Sequence, residues 1–105
     1  MSQGIELKIN KRVDFESKQF GVINTITPVK IPAGCVGVVA IRQRYGDRGL
    51  INTSQILWEG FDGCPVISAA NLGGSLIELI EGEAIAHVAI LRKADIEVSH
   101  NGGIH

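Results

Sequence analysis

This sequence contains few cysteines, few aromatic residues and no long apolar run. Its two cysteines, Cys35 and Cys64, lie far apart and show no spacing typical of metal ligands, so a zinc site and a disulfide framework are both disfavoured. We expect both to be reduced, buried thiols. No apolar segment reaches the length of a membrane span or of a signal-peptide core. We therefore expect no membrane partner and a cytoplasmic location, which would be the host cytoplasm if the source is a virus.

The sequence also lacks a strong net charge. Its formal net charge is −1 over 105 residues, so no global field would attract DNA, RNA or an anionic membrane. Any anion site must come from a local cluster of basic side chains. A chain of this length suits one domain. We expect that domain to cover residues 1–105, with a mobile tail from about 99 to 105 that includes His100 and His105.

Short segments with β-sheet patterns recur along the chain, separated by glycine-containing turns. Ile5, Leu7 and Ile9 alternate with polar residues, as in a half-buried strand. Regularly spaced strands of this kind favour a barrel or a sandwich. Residues 76–91 alone leave a helix open, because Leu, Glu and Ala are good helix formers.

Three segments resemble, in order, motifs of the trimeric dUTPases. The segment IPAGCVGVVAIRQR (31–44) is similar to the approach to the second motif, in which an Arg-Ser-Ser/Gly sequence meets the phosphates, and its arginine is Arg42. The segment ILWEGFDGCPVISAAN (56–71) is similar to the third motif. The segment EGEAIAHVAI (81–90) is similar to the fourth. In segment 56–71 the residues that match the third motif are Phe61, Gly63 and Asn71. In segment 81–90 the residues that match the fourth motif are Gly82, Ile85 and Ala86.

The resemblance covers about residues 29–91 and carries expectations for fold and assembly. It implies the all-β fold that dUTPases share with dCTP deaminases, a distorted jelly-roll-like barrel. It also implies a homotrimer with ligand sites between subunits. On this basis we expect strands, rather than a helix, across 76–91. The uncharged stretch between Gly63 and Ile77 agrees with a surface covered by partner subunits.

The catalytic residues of these families have no clear counterparts. In the dUTPase third motif an Asp orients the attacking water, and the matching position is Trp58. An indole has no free lone pair to accept a proton, so it cannot act as a general base. Glu59 is adjacent, but a one-residue offset on a strand would direct it to the opposite face. The deaminase Glu position is occupied by Ser68.

The other motif positions also differ. Gln43 and Arg44 replace the phosphate-binding serines of the second motif, and His87 replaces the Gln of the fourth. The acid of the first motif has no match in residues 1–30. The glycine-rich fifth motif is at most suggested by SHNGGIH (99–105).

The candidate site residues fall into two groups. We predict that Arg42, Arg44 and Arg48 bind phosphate or another anion, because clustered guanidiniums repel one another unless an anion lies among them. The alternative is a solvated turn in which Asp47 balances one charge. Phe61 and Trp58 are predicted to contact a base or ribose, or else to serve core or subunit packing. Secondary candidates are Gln43, Glu59 and His87, and His87 also suits a hydrogen-bonded core position. The acidic residues around the Gly82 turn, Glu78, Glu81 and Glu83, are interpreted as solvated.

Three functions stay open. The first is a non-catalytic homotrimer that binds or sequesters a nucleotide or a nucleotide-derived signal between subunits. The second is a structural or interaction trimer, for example in a viral particle or with a protein partner. The third is a reduced dUTP diphosphatase. We expect no metal site and no cofactor, with magnesium relevant only if a triphosphate is bound.

Overall fold

The computed structural model describes residues 4–54 and 56–95, and they are mostly β-structure. No helix in this part of the chain is long and apolar enough to cross a membrane. The predicted mobile tail, with His100 and His105, lies outside the described residues. In chain order the elements are β1 (Ile5–Lys8), β2 (Val13–Phe15), β3 (Phe20–Asn24), β4 (Val29–Lys30), β5 (Cys35–Ile41), α1 (Gln43–Gly46), β6 (Leu50–Asn52), β7 (Ile56–Leu57), β8 (Asp62–Gly63), β9 (Val66–Asn71), β10 (Ile77–Leu79) and β11 (Ala84–Arg92).

The strands form antiparallel sheets, which confirms the all-β prediction. The largest sheet has the order β1-β11-β5-β7, and a second has the order β3-β9-β6. The pairs β10-β2 and β4-β8 complete the set within the described residues. These pairings give separate sheets around one core rather than one continuous closed barrel.

The core follows from side chains that alternate between the two faces of each strand. Leu7 pairs with Ala86 across β1 and β11, and both side chains are fully buried. Ile23 and Ile67 face each other in the same way across β3 and β9. The predicted alternation of Ile5, Leu7 and Ile9 is therefore an inward-facing series that ends in a bridge from Ile9 to Thr25.

Residues 76–91 form β10 and β11, as the dUTPase resemblance implies. The turn between them contains Gly82, whose φ of 85° lies in the left-handed region that glycine adopts easily. The amide of Gly82 donates to the carbonyl of Ile9, which fixes this turn to β1. The helix propensity of Leu, Glu and Ala is overridden because Ile77 and Leu79 in β10, and Ala86 and Val88 in β11, are buried at the two-residue spacing of a strand face.

The prediction of two buried thiols is wrong for Cys64. Both cysteines are free, but Cys64 is exposed and Cys35 is half-buried. Cys64 lies in the connection between β8 and β9, outside the alternating pattern that buries side chains. A single apolar residue in such a connection therefore carries little information about burial.

Candidate functional site

Arg42, Arg44 and Arg48 surround the helical turn α1. Arg42 and Arg44 do not share a strand face, because β5 ends at Ile41 and residues 43–46 turn into α1. The backbone amide of Arg42 still donates to the carbonyl of Ile85, so the hydrogen bonding between β5 and β11 continues one residue beyond the end of β5. Its own carbonyl then accepts from the amides of Tyr45 and Gly46, which closes the turn. The three arginines are therefore presented from a short turn at the end of β5.

Arg44 takes part in a set of hydrogen bonds with Tyr45 and Glu83, which we call the Glu83 cluster. A guanidinium nitrogen of Arg44 donates to the Tyr45 hydroxyl at 2.7 Å, and that hydroxyl donates to Glu83 Oε1 at 2.9 Å. The same carboxylate oxygen lies 3.3 Å from the Arg44 guanidinium. Burial raises the pKa of the Tyr45 hydroxyl, so the proton it donates to Glu83 stays in place near neutral pH. Glu83 is half-buried, which corrects its interpretation as a solvated residue.

The other two arginines also have partners within the chain. Arg42 donates to Glu6 Oε2 at 3.1 Å across the start of β1, and both side chains are partly exposed. Arg48 donates to the carbonyl of Leu76 at 3.1 Å. Arg42 and Arg44 are thus neutralised by carboxylates, while Arg48 is held by a neutral acceptor. Arg44 and Arg48, but not Arg42, line an open depression of about 310 Å³, together with Tyr45, Glu78 and Glu83.

Of the secondary candidates, Gln43 is exposed at the first position of α1. His87 does not occupy a core position, because its side chain is exposed on the outer face of the β1-β11-β5 sheet. The strand register places it between Glu6 and Ala40. The interpretation of His87 as a buried, hydrogen-bonded residue is therefore wrong: the alternation along β11 turns its neighbours Ala86 and Val88 inward and His87 outward.

Trp58 and Phe61 begin and end one turn between β7 and β8. The amide of Phe61 donates to the carbonyl of Trp58 at 3.0 Å. The Trp58 side chain is 66% exposed. Phe61 is partly buried and packs against the core, while its carbonyl accepts from the amide of Ile31. Trp58 thus presents its ring to solvent, and Phe61 anchors the turn.

Glu59 lies in this turn rather than on a strand. Because β7 ends at Leu57, the alternation of faces that was used to separate Glu59 from Trp58 does not apply here. Its carboxylate accepts a hydrogen bond from the Lys93 ammonium at 3.1 Å. This bond, with the charge of Lys93, holds the pKa of Glu59 below its ordinary value. A carboxylate with a lowered pKa is a weaker base, which disfavours Glu59 as a substitute for the missing acid.

Within one chain the arginines and the Trp58 turn lie at opposite ends of β5. Gly37 and Val38 pair with Leu57 and Ile56, so the chain leaves β7 alongside Val36 and away from Arg42. About six residues at roughly 3.3 Å each separate Val36 from Arg42, or about 20 Å. A single subunit therefore does not bring the two groups of candidate residues together.

Asn71 is a buried polar residue whose side chain joins the end of β2 to the loop between β9 and β10. Its side-chain amide nitrogen donates to the carbonyls of Phe15 at 3.0 Å and Ser75 at 2.8 Å, and its oxygen accepts from the amide of Gly73 at 2.9 Å. Gly73 in turn packs so tightly on the backbone of residues 48 and 49 that a Cβ there would collide with the Arg48 carbonyl. Asn71 therefore sets the position of the loop that carries Arg48.

The sequence did not single out Glu6 or Tyr45, and it assigned Glu83 to solvent. Glu6 is 36 positions from Arg42, and Glu83 is 38 positions from Tyr45. No local pattern signals pairs that are so far apart. Asn71 was found only as a match to the third motif, without its role in the loops.

Comparisons with known proteins agree with the fold described above. Neither a protein-family model nor a curated protein sequence matches the chain. Solved structures do match. The native dUTPase of EIAV has a TM-score of 0.77 at 27% sequence identity, covering 85% of this chain and 74% of that one.

Two phage proteins are similar to the same extent in structure. A variant of the Staphylococcus bacteriophage 80alpha dUTPase with dUpNHpp has a TM-score of 0.76 at 20% identity, covering 88% of this chain and 82% of that one. A variant of the dUTPase from phage phi11 of S. aureus, which coordinates a structural Mg(II) ion, has a TM-score of 0.75 at 19% identity, covering 85% and 76%. The chain therefore has a dUTPase-like fold.

Proposed function

We propose that this protein is a non-catalytic homotrimer that binds a nucleotide, or a nucleotide-derived signal, between its subunits. The observation that carries the proposal is the combination of a retained arginine cluster and a lost acid. Arg42, Arg44 and Arg48 project from the turn that follows β5, whereas the position of the water-orienting acid is occupied by the exposed Trp58. A site of this kind can bind phosphate but has no evident base to activate water.

The proposed ligand has an anionic part and a flat part. Guanidiniums suit the anionic part because their planar donors match phosphate oxygens in bidentate geometry. The exposed indole of Trp58 suits a base, since base–aromatic stacking is tolerant of the base's identity. The 80alpha dUTPase in the comparison binds dUpNHpp, a nucleotide with both parts. Magnesium would accompany the ligand only if it is a triphosphate.

A site between subunits is supported by the separation of its two halves. Because Arg42 and Trp58 lie about 20 Å apart along β5, one ligand of nucleotide size would need Arg42 from one copy and Trp58 from another. Self-association is also supported by the exposed apolar side chains of this small domain, since such side chains are commonly covered by a partner.

The experiment that tests the proposal is calorimetric titration of the full chain with dUTP, dUpNHpp and a panel of cyclic nucleotides. We expect saturable binding of at least one of them, and no release of pyrophosphate from dUTP in the presence of magnesium. An absence of binding below about 1 mM, which corresponds to about −4.1 kcal/mol, would reject the proposal. Pyrophosphate release that is abolished by Glu59→Gln would replace it with a reduced dUTP diphosphatase.

A second candidate is an interaction module whose surface binds another protein. The observation in its favour is the set of exposed apolar residues, among them Phe20, Trp58 and Val66. Phage dUTPases such as that of 80alpha control transfer of virulence genes by a proto-oncogenic G protein-like mechanism, which is a regulatory role. Capture of one stoichiometric protein partner, unchanged by Arg42→Ala, would favour this second function over nucleotide binding.

A further inference from the structure

The depression beside α1 is formed within one chain. Its volume of about 310 Å³ lies at the lower limit of the roughly 300–1,000 Å³ of ligand pockets, so it suits a small group better than a whole nucleotide. Arg44 and Arg48 both line it, whereas Arg42 and Trp58 do not. A ligand in the depression would therefore need neither of the two residues that the proposed nucleotide site takes from different copies.

The charges around the depression leave Arg48 uncompensated. Glu83 lies 3.3 Å from the Arg44 guanidinium. Glu78 lies 3.3 Å from the guanidinium of Arg12, which is not part of the lining. Among the residues that the structure describes, no carboxylate lies within ion-pair distance of the Arg48 guanidinium. One positive charge in the depression is therefore available to an anion.

Arg48 is held in place at its backbone and at its side chain. Its amide donates to the carbonyl of Tyr45 at 3.0 Å, and the next residue, Gly49, has a φ of 103°, which glycine adopts easily. Gly73 packs directly on the Arg48 carbonyl. One guanidinium nitrogen donates to the carbonyl of Leu76 at 3.1 Å. Because both ends of Arg48 are fixed, little conformational freedom would be lost when its remaining donors bind an anion.

We propose that this depression is a binding site for a phosphate-type oxyanion, with Arg48 as its first ligand and Arg44 as its second. The planar donors of a guanidinium match phosphate oxygens in bidentate geometry. An anion between the two arginines would also reduce the repulsion between them. The carboxylates of Glu78 and Glu83 in the same lining repel further negative charge, which favours a single phosphate group over a polyanion such as a nucleic acid.

This inference goes beyond the proposed function, because the site is complete in one subunit and does not include Arg42 or Trp58. The phosphate group can come from two sources that share the same chemistry. One is inorganic phosphate, and the other is the phosphate end of a small molecule such as a nucleotide. Titrations with inorganic phosphate and with dUpNHpp, separately and together, distinguish these sources.

The test is an NMR titration of the ¹⁵N-labelled full chain with inorganic phosphate at constant ionic strength. We expect saturable amide shifts centred on residues 44–49, with a Kd of about 1 mM or lower. Arg48→Gln and Arg44→Gln should each weaken binding by about tenfold or more, because each loses charge-assisted hydrogen bonds to the anion. Arg92→Gln is the matched control, since Arg92 pairs with Asp95 at the surface, 75% exposed and outside the depression, and it should stay within about twofold of the wild type.

Two results would overturn the inference. The first is an absence of saturable shifts up to about 10 mM phosphate. The second is an equal loss of affinity in Arg48→Gln, Arg44→Gln and Arg92→Gln, which would show a general charge effect. The spectrum of each variant reports its folding, and if one of the two depression variants does not fold, the other makes the comparison with Arg92→Gln.

The dUpNHpp titrations separate this inference from the proposed function. Competition between phosphate and dUpNHpp, with both weakened in Arg48→Gln, supports the site and identifies the nucleotide as the source of the phosphate group. Binding of both without competition supports the site with inorganic phosphate as its ligand. Binding of phosphate alone supports the site and rejects the proposed function, whereas binding of dUpNHpp alone, unchanged in Arg48→Gln, rejects the site and keeps the proposed function.

Discussion

Arg42 contacts Glu6 through a single guanidinium nitrogen, and its side chain remains partly exposed. Because the side chain is 43% exposed, a phosphate would reach it without breaking a buried contact. An exposed ion pair of this kind contributes at most about 1 kcal/mol. At the scale of single residues, Arg42 thus has a weak structural role, which leaves it free for the anion binding proposed above.

We predict that Arg42→Lys weakens nucleotide binding by about tenfold or more. Lysine keeps the charge and can still reach Glu6, but it loses the bidentate hydrogen bonds to phosphate, and each 1.4 kcal/mol is about a factor of ten. Stability should change by under about 0.5 kcal/mol, because the site is exposed. Calorimetric titration with dUpNHpp and light scattering on the same sample measure both quantities. Dissociation of folded subunits by Arg42→Lys would make Arg42 an interface residue instead.

Asn71 is the opposite case, a residue with a large structural role and no exposure. We predict that Asn71→Ala lowers the free energy of unfolding by about 2–3 kcal/mol, because the buried carbonyl of Phe15 and the amide of Gly73 lose their partner. Asn10→Ala is the control, since Asn10 is exposed and, among the residues that the structure describes, bonds only through its backbone; it should change stability by under about 0.5 kcal/mol. Urea unfolding curves of the two variants give the comparison. Equal curves would show that water replaces Asn71 at no cost.

At the scale of elements, the Glu83 cluster joins α1 to the turn between β10 and β11. The Glu83 carboxylate holds the Arg44 guanidinium away from any exogenous anion by neutralising it. In the proposed anion site, the Glu83 carboxylate would therefore compete with an incoming anion for Arg44. Glu78 lines the same depression but pairs with Arg12 at 3.3 Å, so it does not hold Arg44.

We predict that Glu83→Gln raises the affinity for inorganic pyrophosphate several-fold, because Arg44 loses its carboxylate partner. Glu78→Gln changes the charge of the depression by the same amount without releasing Arg44, so it should have a smaller effect. Stability should change little, since both side chains of the pair are largely exposed. An equal rise in both variants, measured by calorimetry at one salt concentration, would show a general charge effect and reject the specific role of Glu83.

The Glu59–Lys93 pair joins the Trp58 turn to the residues that follow β11, and its contribution should depend on pH. The pKa of Glu59 is held below its ordinary 4.5, so the folded state binds this proton less tightly than the unfolded state. The resulting stabilisation is present above pH 4.5, and it is lost as the pH falls through the lower pKa that Glu59 has in the folded state. We predict that Glu59→Gln is less stable than the wild type at pH 7 and equal to it near pH 3. Thermal unfolding at both pH values checks this, and a difference that persists in acid would contradict it.

At the scale of the whole molecule, the division of the candidate site between two ends of β5 makes a prediction about mixed oligomers. Arg42→Ala and Trp58→Ala should each bind nucleotide poorly as pure proteins. If each site combines Arg42 of one subunit with Trp58 of another, random one-to-one mixing restores about a quarter of the sites. Half of the subunits carry an intact Arg42 and half carry an intact Trp58, and a site needs one of each at the correct positions. Titration of co-refolded samples measures the fraction. Recovery of no sites would show that both residues act from the same subunit.

The sequence by itself determined the strands and several of the turns. The alternation of Ile5, Leu7 and Ile9 and the position of Gly82 report local preferences, since a half-buried strand and a left-handed turn each depend on a few consecutive residues. The ordered resemblance to dUTPase motifs was sufficient to choose strands over a helix at 76–91. The sequence did not predict the short turn α1, because a four-residue helix leaves little local signal. It also did not predict the outward position of His87, because the neighbours of His87 in β11 are all apolar and do not show which side chains face the core.

Only the tertiary structure decided which side chains meet. Arg42 meets Glu6, Arg44 and Tyr45 meet Glu83, and Asn71 meets Phe15 across 56 positions. These contacts depend on which strands pair and in what register, and hydrophobic periodicity does not specify the partner of a strand. The same pairing placed Arg42 and Trp58 at opposite ends of β5. The residue types of the proposed site were thus available from the sequence. The pairing of Arg42 and Arg44 with carboxylates, and the separation of the arginines from Trp58, follow from the antiparallel pairing of β5 with β7 and β11.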